Sequence, residues 1–396
     1  MRIGQFSDSF MPIIDGVGRV VYNTALQIGK AGHESYVIAP YGKTGYRGNL
    51  GFDVITYAGA PVPTSPQYKL GAPILDPYYH IRINDTQFDI LHAHSPFAAG
   101  QEALRLAKQR NVPLVATFHS KYYDDFYSVT QSEVLSSLGV RFVVDFFERC
   151  DYVWTVSNSS ADTLRSYGYK GEITVVENGT DADSSAADSA GARELLSLPD
   201  VPLLLYVGQI HAKKNLRKVV EASAMLHKRN VEHRLVLCGQ GPDRDELEAL
   251  CASLSISDTT IFTGHISDYA VLLGLYEMAS VFMFPSTYDT AGLVVKEAAS
   301  MGTPSVVVRG SGAAELICDG SNGFLCDNSA ESICSAAEAA LKDPVATRSV
   351  GETAKRTLQR TWADAAGETL GRYALILDEH PYHSDNAPSG SRTDSP

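Results

Sequence analysis

Residues 284–304 read FPSTYDTAGLVVKEAASMGTP, with an acid at Asp289 and a second, eight positions on, at Glu297. An apolar run closes at Phe284, a Pro-Ser-Thr turn follows, and small helix formers begin after Thr290, Ala291 and Gly292. This pattern predicts a strand ending at Phe284, a loop carrying Asp289, and a helix starting near Gly292 with Glu297 on it. Such a helix start presents unpaired backbone N–H groups and the positive end of a dipole, which suits a phosphate. Glu297 then lies about a turn inside the helix, within reach of a ribose hydroxyl, while Asp289 sits near whatever the phosphate carries. Two acids flanking an anion site point to a nucleotide-sugar pocket. On spacing alone, an ordinary surface helix with one Glu fits equally well.

Strand-like runs and helical patterns alternate on both sides of this stretch, the signature of parallel α/β sheets. In the first half the strands read RIGQF (2–6), SYVIAP (35–40), DVITY (53–57), DILHAH (89–94), PLVATFH (113–119), YVWTVS (152–157) and ITVVENG (173–179). The second half restarts with LLLYVG (203–208), then HRLVLCG (233–239), TIFTG (260–264), VFMFPS (281–286) and PSVVV (304–308). Helices fit at 18–31, 97–109, 215–228, 243–254 and 362–377. Between the halves, DADSSAADSAGARELLSLPD (181–200) reads as a linker plus an early helix. Two Rossmann-like domains are therefore expected, with strand C-termini lining a cleft. The polar, Ser- and Pro-rich stretch 380–396 reads as a disordered tail.

A chain of 396 residues, 44% apolar and 20% charged, is a globular protein too long for one ordinary core. The net charge of −13 argues against nucleic-acid binding. Residues 1–182 carry 15 basic against 18 acidic side chains, whereas the remainder carries 18 against 28. The N-terminal half is thus the one expected to approach an anionic acceptor or a membrane surface. No signal-peptide pattern opens the chain and no run of 18 apolar residues occurs. Cys150, Cys238, Cys251, Cys318, Cys326 and Cys334 form no C-x-x-C pair or zinc spacing. They read as reduced core thiols in a cytoplasmic protein.

Other segments bear chemistry. The loop SDSFMPIIDGVGRVVYN (7–23) has glycines at 16 and 18 that permit a tight turn and a close backbone approach to phosphate. It is not a dinucleotide fingerprint, because Val21 stands where the third glycine belongs. In YVGQIHAKKNLRKVVEA (206–222) a strand closes at Gly208, and Lys213 and Lys214 precede a helix start at Asn215. An ammonium there is a natural partner for a diphosphate leaving group, or a solvated surface lysine. His119 ends the strand PLVATFH; FHSKYYDDF (118–126) and HAHSPF (92–97) gather His94, Lys121, Tyr122, Tyr123 and Asp124 at strand ends. These are candidate acceptor contacts, or simply polar loops. Asp181-Ala-Asp183 reads D-x-D but has no strand to hold it rigid, and no metal is implied.

The segment 285–298 resembles the P-S-x-x-E-x-x-G-x-x-x-x-E-A signature of the retaining glycosyltransferases of family 4, which have the GT-B fold. Every fixed position matches except the first Glu, here Asp289. Gly208 to Asn215 resembles the family's G-R-x-x-x-x-K-N, with Gln209 in place of Arg, and Thr117 to His119 its T-x-H. The 7–23 loop is similar to its G-G-V loop, with Asp15 for the first Gly. The resemblance covers residue 7 to about 326 and implies an acceptor-side domain at 1–182, a donor domain at 183–361, and a helix at 362–379 packing back on the first domain. It implies that Gly16, Gln209, Gly292, Leu293, Val294 and Glu297 hold a nucleoside-diphosphate sugar. Lys214 would neutralise the departing phosphate, while Asp289 and His119 touch the transferred hexose. His94, Lys121 and Tyr123 would meet the acceptor, a glycan, lipid or small molecule, with no metal cofactor. The implied reaction moves a hexose to an acceptor hydroxyl in α-linkage. Uridine and guanosine donors, and peripheral association with an inner membrane face, stay open. Rival readings are a glycan synthase or sugar-nucleotide epimerase on the same fold, and a non-catalytic nucleotide-sugar-binding protein.

Overall fold

The computed structural model describes residues 1–10, 15–41, 50–62 and 65–380. The tail expected to be disordered lies, beyond His380, outside the described residues. The chain forms two compact units. One comprises Met1–Val156, Ala161–Val176 and the chain from Ala363; the other comprises Ser157–Ser160 and Glu177–Trp362.

The first unit is built on β1 (Arg2–Phe6), β2 (Glu34–Tyr41), β3 (Asp53–Val62), β4 (Ser65–Gly71), β5 (Ile90–Ala93), β6 (Leu114–Phe118), β7 (Tyr152–Thr155) and β8 (Thr174–Val175). Among the described residues these form one sheet in the order β4-β3-β2-β1-β5-β6-β7-β8. All neighbours are parallel except the edge pair β3 and β4. Every residue of β5 and β6 is buried, as expected of apolar strands covered on both faces. The connecting helices are α1 (Gly16–Lys30), α2 (Pro77–Asp85), α3 (Ala98–Arg110), α4 (Tyr122–Thr130), α5 (Glu133–Glu148) and α6 (Asn158–Ser166). Asp15 starts α1 by accepting from the Gly18 N–H at 2.7 Å.

The second unit carries α7 (Ser189–Leu196), β9 (Leu203–Val207), α8 (Leu216–Lys228), β10 (Arg234–Cys238), α9 (Arg244–Ser253), β11 (Thr260–Gly264) and α10 (Tyr269–Met278). It continues through β12 (Val281–Phe284), α11 (Leu293–Ser300), β13 (Ser305–Val308), β14 (Phe324–Cys326), α12 (Ala330–Lys342) and α13 (Pro344–Leu358). Its sheet is wholly parallel, in the order β11-β10-β9-β12-β13-β14. Asp188, Asp268, Ser329 and Asp343 cap α7, α10, α12 and α13 through side-chain oxygens.

The last helix, α14 (Trp362–Glu379), belongs from Ala363 onward to the first unit. Tyr373 and Ile376 on it join Ile3, Ile28, Ile90, Val115, Trp154 and Val176 in one buried cluster, and the Tyr373 and Trp154 rings stack at 5.6 Å.

Three sequence expectations are corrected. The strand expected over 173–179 stops at Val175, because the chain leaves the first unit after Val176. The loop expected around Tyr122, Tyr123 and Asp124 is the first turn of α4. Cys318 is exposed rather than a core thiol, while Cys238, Cys251, Cys326 and Cys334 are buried.

The buried Lys296, on α11, donates to Glu177 Oε2 at 2.8 Å and to the Asn178 carbonyl at 3.0 Å, tying the start of the second unit's main segment to that helix. Lys296→Met keeps the volume but strands the Asn178 carbonyl. It is expected to lower stability by roughly 1–3 kcal/mol, read as a lower urea midpoint with native far-UV circular dichroism. An unchanged midpoint would show that water replaces the ammonium without loss.

Candidate active site

In a sheet wound outward in both directions from a central pair, the loops leaving that pair diverge, and a crevice opens beyond the strand C-termini. In the second unit the pair is β9 and β12. The two loops are 208–215 and 285–292, the same segments whose sequences carry the charged motifs. They meet through Lys214, whose ammonium lies 2.5 Å from Asp289 Oδ1. Asp289 Oδ2 is buried and has no hydrogen-bond partner among the described residues, an acceptor with its bonding capacity unused. The Lys213 and Lys214 ammoniums lie 4.7 and 5.7 Å from the centre of the Tyr288 ring, so two cations converge on one aromatic ring.

Gly292 precedes α11 with φ 55° and ψ 38°, a left-handed conformation in which glycine is least strained. The Val295 and Lys296 N–H groups bond back to the Gly292 carbonyl. The preceding N–H groups, of Leu293 and Val294, begin the helix before any intrahelical carbonyl can reach them. Ser286, fully buried, accepts from the Tyr288 and Asp289 N–H groups and fixes the loop from within. Behind it, a side chain at Gly312 would begin 2.5 Å from the Asp289 carbonyl oxygen, so only glycine lets the strand β13 loop back this turn. Glu297 is 2% exposed and accepts from the Tyr276 hydroxyl at 3.0 Å. Gln209 is exposed, and its carbonyl accepts from the Tyr206 hydroxyl at 2.9 Å.

In the first unit the equivalent crevice opens between β1 and β5. Asp8 and Ser95 close its base: the Ser95 hydroxyl donates to Asp8 Oδ2 at 2.6 Å, and the Ala99 N–H, at the start of α3, donates to Oδ1 at 3.0 Å. Burial pushes the Asp8 carboxyl up to about 6 despite both bonds. His94 and His119 stand together, His94 Nδ1 being 3.1 Å from His119 Nε2. Both are buried, as is His92. Burial lowers His119 to about 4 and His92 to about 3, and His94 well below the ordinary imidazole range. Gly16 opens α1 and is exposed, and apart from its chain neighbours and its own helix no atom of the described residues lies within 4 Å of where a side chain would begin. Lys121 directly precedes α4, and the Tyr123 N–H donates to the Tyr167 hydroxyl at 3.0 Å.

The structure therefore brings together Lys214, Asp289, Gly292, Leu293 and Val294 in one unit, and His94 and His119 in the other. Sequence reading missed Lys296, Tyr276 and Ser286 beside the first group, and Gln5 and His92 beside the second. A lysine inside the apolar face VVKEAA and a glutamine inside RIGQF were the available signals. Among the described residues no group of His, Cys, Asp or Glu is placed to hold a metal ion, and no helix is long and apolar enough to cross a membrane.

Two parallel α/β units, one with cations and a helix start converging at its switch point, define the GT-B class of nucleotide-sugar enzymes. Comparison with known proteins agrees. The "Glycosyl transferases group 1" family model matches residues 192–357, and that of "Glycosyltransferase Family 4" matches residues 14–184. The chain belongs to this family of GT-B glycosyltransferases. It is 25% identical over 345 residues to an alpha-monoglucosyldiacylglycerol synthase of Acholeplasma laidlawii, covering 84% of this chain and 86% of that one. It is 25% identical over 397 residues to a GDP-mannose-dependent alpha-mannosyltransferase of Corynebacterium glutamicum, covering 95% and 89%. A sucrose-phosphate synthase structure from Thermosynechococcus elongatus superposes with a TM-score of 0.79 at 20% identity, covering 95% of this chain and 99% of that one.

The neutral histidines make stability depend on pH. An unfolded imidazole titrates near 6.5, above all three folded values, so between that pH and about 4 the unfolded chain binds more protons. Stability is expected to fall as pH falls through this window, by roughly 1–2 kcal/mol per histidine at pH 5. Asp8 acts in the opposite sense between about 6 and 3.8, but it is one group against three. The urea midpoint should be lower at pH 5 than at pH 7; an equal or higher midpoint would mean that these imidazoles titrate freely.

Proposed function

We propose that the enzyme transfers a hexose from a nucleoside-diphosphate sugar to an acceptor hydroxyl with retention, giving an α-linkage. The observation that carries this reading is the meeting of Lys214, Asp289 and the start of α11 at the β9/β12 switch point. The Lys214 ammonium and the Leu293 and Val294 N–H groups neutralise the diphosphate as the glycosidic bond breaks. Each well-placed donor of this kind contributes roughly 2.7–4 kcal/mol. The buried, unpartnered Asp289 Oδ2 suits a hexose hydroxyl, so this acid binds rather than attacks. Glu297 takes the ribose, with Gly16 and Gln209 at the phosphates, and His119 touches the transferred sugar. The departing phosphate takes the acceptor proton on the same face, and no metal is required. The first unit supplies acceptor contacts, with His94, Lys121 and Tyr123 as candidates. The relatives' names support glucose or mannose as the sugar and a glycolipid or glycan as the acceptor, with peripheral membrane association for a lipid one.

A thermal-shift and hydrolysis screen against UDP-, GDP- and ADP-sugars, followed by anomeric NMR of the transfer product, tests this reading. An inverted anomeric centre would overturn retention, and tight donor binding without turnover on any acceptor would support the non-catalytic rival. Lys214→Ala is expected to lower turnover by about a hundredfold with the fold intact. Lys213→Ala should be mild, because the ammonium that pairs with Asp289 is that of Lys214. Equal losses from the two would reverse the assignment.

The two acids should separate kinetically. Glu297→Gln is expected to raise the donor KM more than it lowers kcat, whereas Asp289→Ala should reduce kcat and blur discrimination among hexoses. Wild-type kcat and selectivity in Asp289→Ala would place that carboxylate away from the transferred sugar.

A further inference from the structure

Lys214 ends a single helical turn, Ala212–Lys214, that lies between β9 and α8. One end of that turn is held by Asp243, whose Oδ2 accepts from the Ala212 N–H. The other end is Asn215, at φ 61° and ψ 27°, a left-handed conformation that asparagine tolerates better than most residues with a side chain. Asn215 stands at the start of α8, yet its side chain caps no N–H of that helix. Its Nδ2 donates instead to the Pro285 carbonyl at 3.2 Å and to Asn328 Oδ1 at 2.7 Å. Both amide protons are thereby used. Pro285 immediately follows β12 and opens the loop that carries Asp289, while Asn328 lies just beyond β14. Lys218, on the first turn of α8, donates to the same Asn328 Oδ1 at 2.6 Å and to the Asn328 carbonyl at 2.9 Å.

We infer that Asn215 is a positioning residue: its amide is a strut between the two switch-point loops that sets where the Lys214 ammonium stands against Asp289. The strut is oriented by partners that act in one sense only. A carbonyl accepts and an ammonium donates, so Pro285 fixes the Asn215 nitrogen and Lys218 fixes the Asn328 oxygen. Lys214 cannot fix the spacing by itself, because its flexible stem reaches Asp289 from many backbone positions. The Asn215 side chain is short, and it adjoins Lys214 in the chain. A charge that must meet a developing phosphate charge tolerates little displacement, about 1 Å being enough to cost a hundredfold. The catalytic consequence rests on the proposed role of Lys214; the strut does not.

The test compares Asn215→Gly, Asn215→Asp and Asn328→Asp in the full-length protein. Glycine keeps the left-handed turn and removes the amide, whereas aspartate keeps the shape and sets acceptors against acceptors. Steady-state kinetics are measured on the donor found by the screen. Acetylation of Lys214 by acetic anhydride is followed by peptide mass spectrometry, with Lys342 at the far end of α12 as reference. Both Asn215 variants are expected to lose about tenfold or more in kcat, with donor KM changed less than about threefold. In both, Lys214 should acetylate about threefold faster or more, as its ammonium leaves the carboxylate that favours the charged form. Asn328→Asp keeps the acceptor for Asn215 and Lys218 and should lose less than about threefold in kcat. Wild-type kcat and wild-type Lys214 reactivity in Asn215→Gly would mean that Asn215 serves only the backbone turn, and would overturn the inference. A lowered kcat with unchanged Lys214 reactivity overturns it too, as do equal losses from Asn215→Asp and Asn328→Asp. Faster acetylation with wild-type kcat overturns the positioning role. Should Asn215→Asp fail to fold, Asn215→Gly decides. Absence of turnover by the wild-type enzyme on every donor counts instead against the proposed reaction, and Lys214 acetylation then decides whether the strut holds.

Discussion

Parallel strands joined by helical crossovers must be wound outward from a starting strand, and where the winding reverses, the two flanking loops are left without a helix packed between them. The rest of this molecule depends on that constraint. It acts once at β1/β5 and again at β9/β12, and it decides which side chains meet among hundreds that never do. Lys214 and Asp289 are 75 residues apart and become partners only because β9 and β12 are neighbours. Asp8 and Ser95, 87 residues apart, do the same at the other sheet. Neither pair is specified by local propensity.

Chemistry at the second switch point follows from unequal satisfaction of charge. Asp289 has one oxygen committed to Lys214 and one buried oxygen that accepts from no group among the described residues. A buried acceptor of that kind is costly for the folded chain alone. The loop tolerates it because Ser286 and the close backbone approach at Gly312 hold its shape independently of the carboxylate. The first switch point shows the opposite strategy. Burial keeps its imidazoles neutral, and both oxygens of the Asp8 carboxyl are bonded, one by the Ser95 hydroxyl and the other by the Ala99 N–H.

How much of this the sequence disclosed depended on how local the cause was. Strands such as LVATF and LLLYV were legible because a short apolar run between turn signals has few other fates. The Asp289–Glu297 spacing was legible because strand end, loop and helix start are contiguous. By contrast, β4 and β14 were missed: one is an edge strand with a proline, the other has three residues, and neither has a distinctive period. That α4 begins at Tyr122 was hidden by its tyrosines and aspartates, which read as loop until Tyr122 is seen buried against Phe97 and Phe118. The contact between His94 and His119 was beyond reach, since the two follow the ends of β5 and β6 and their meeting depends on sheet register. Lys296 was passed over, and only its burial and its pairing with Glu177 show its part.

Helix α14 carries a lesson for anyone wishing to recombine such enzymes. The first unit is not a contiguous length of chain. Its sheet is sealed by Tyr373 and Ile376, which are translated after the whole of the second unit. A nascent chain that has emerged only as far as Val176 has a sheet with one apolar face still open. The two units are therefore interdependent in biosynthesis even though each has its own core. For the same reason, grafting this unit onto a foreign partner means moving two separate gene segments together. A graft that stops at the obvious linker would exchange strands and loops while leaving behind the helix that closes them.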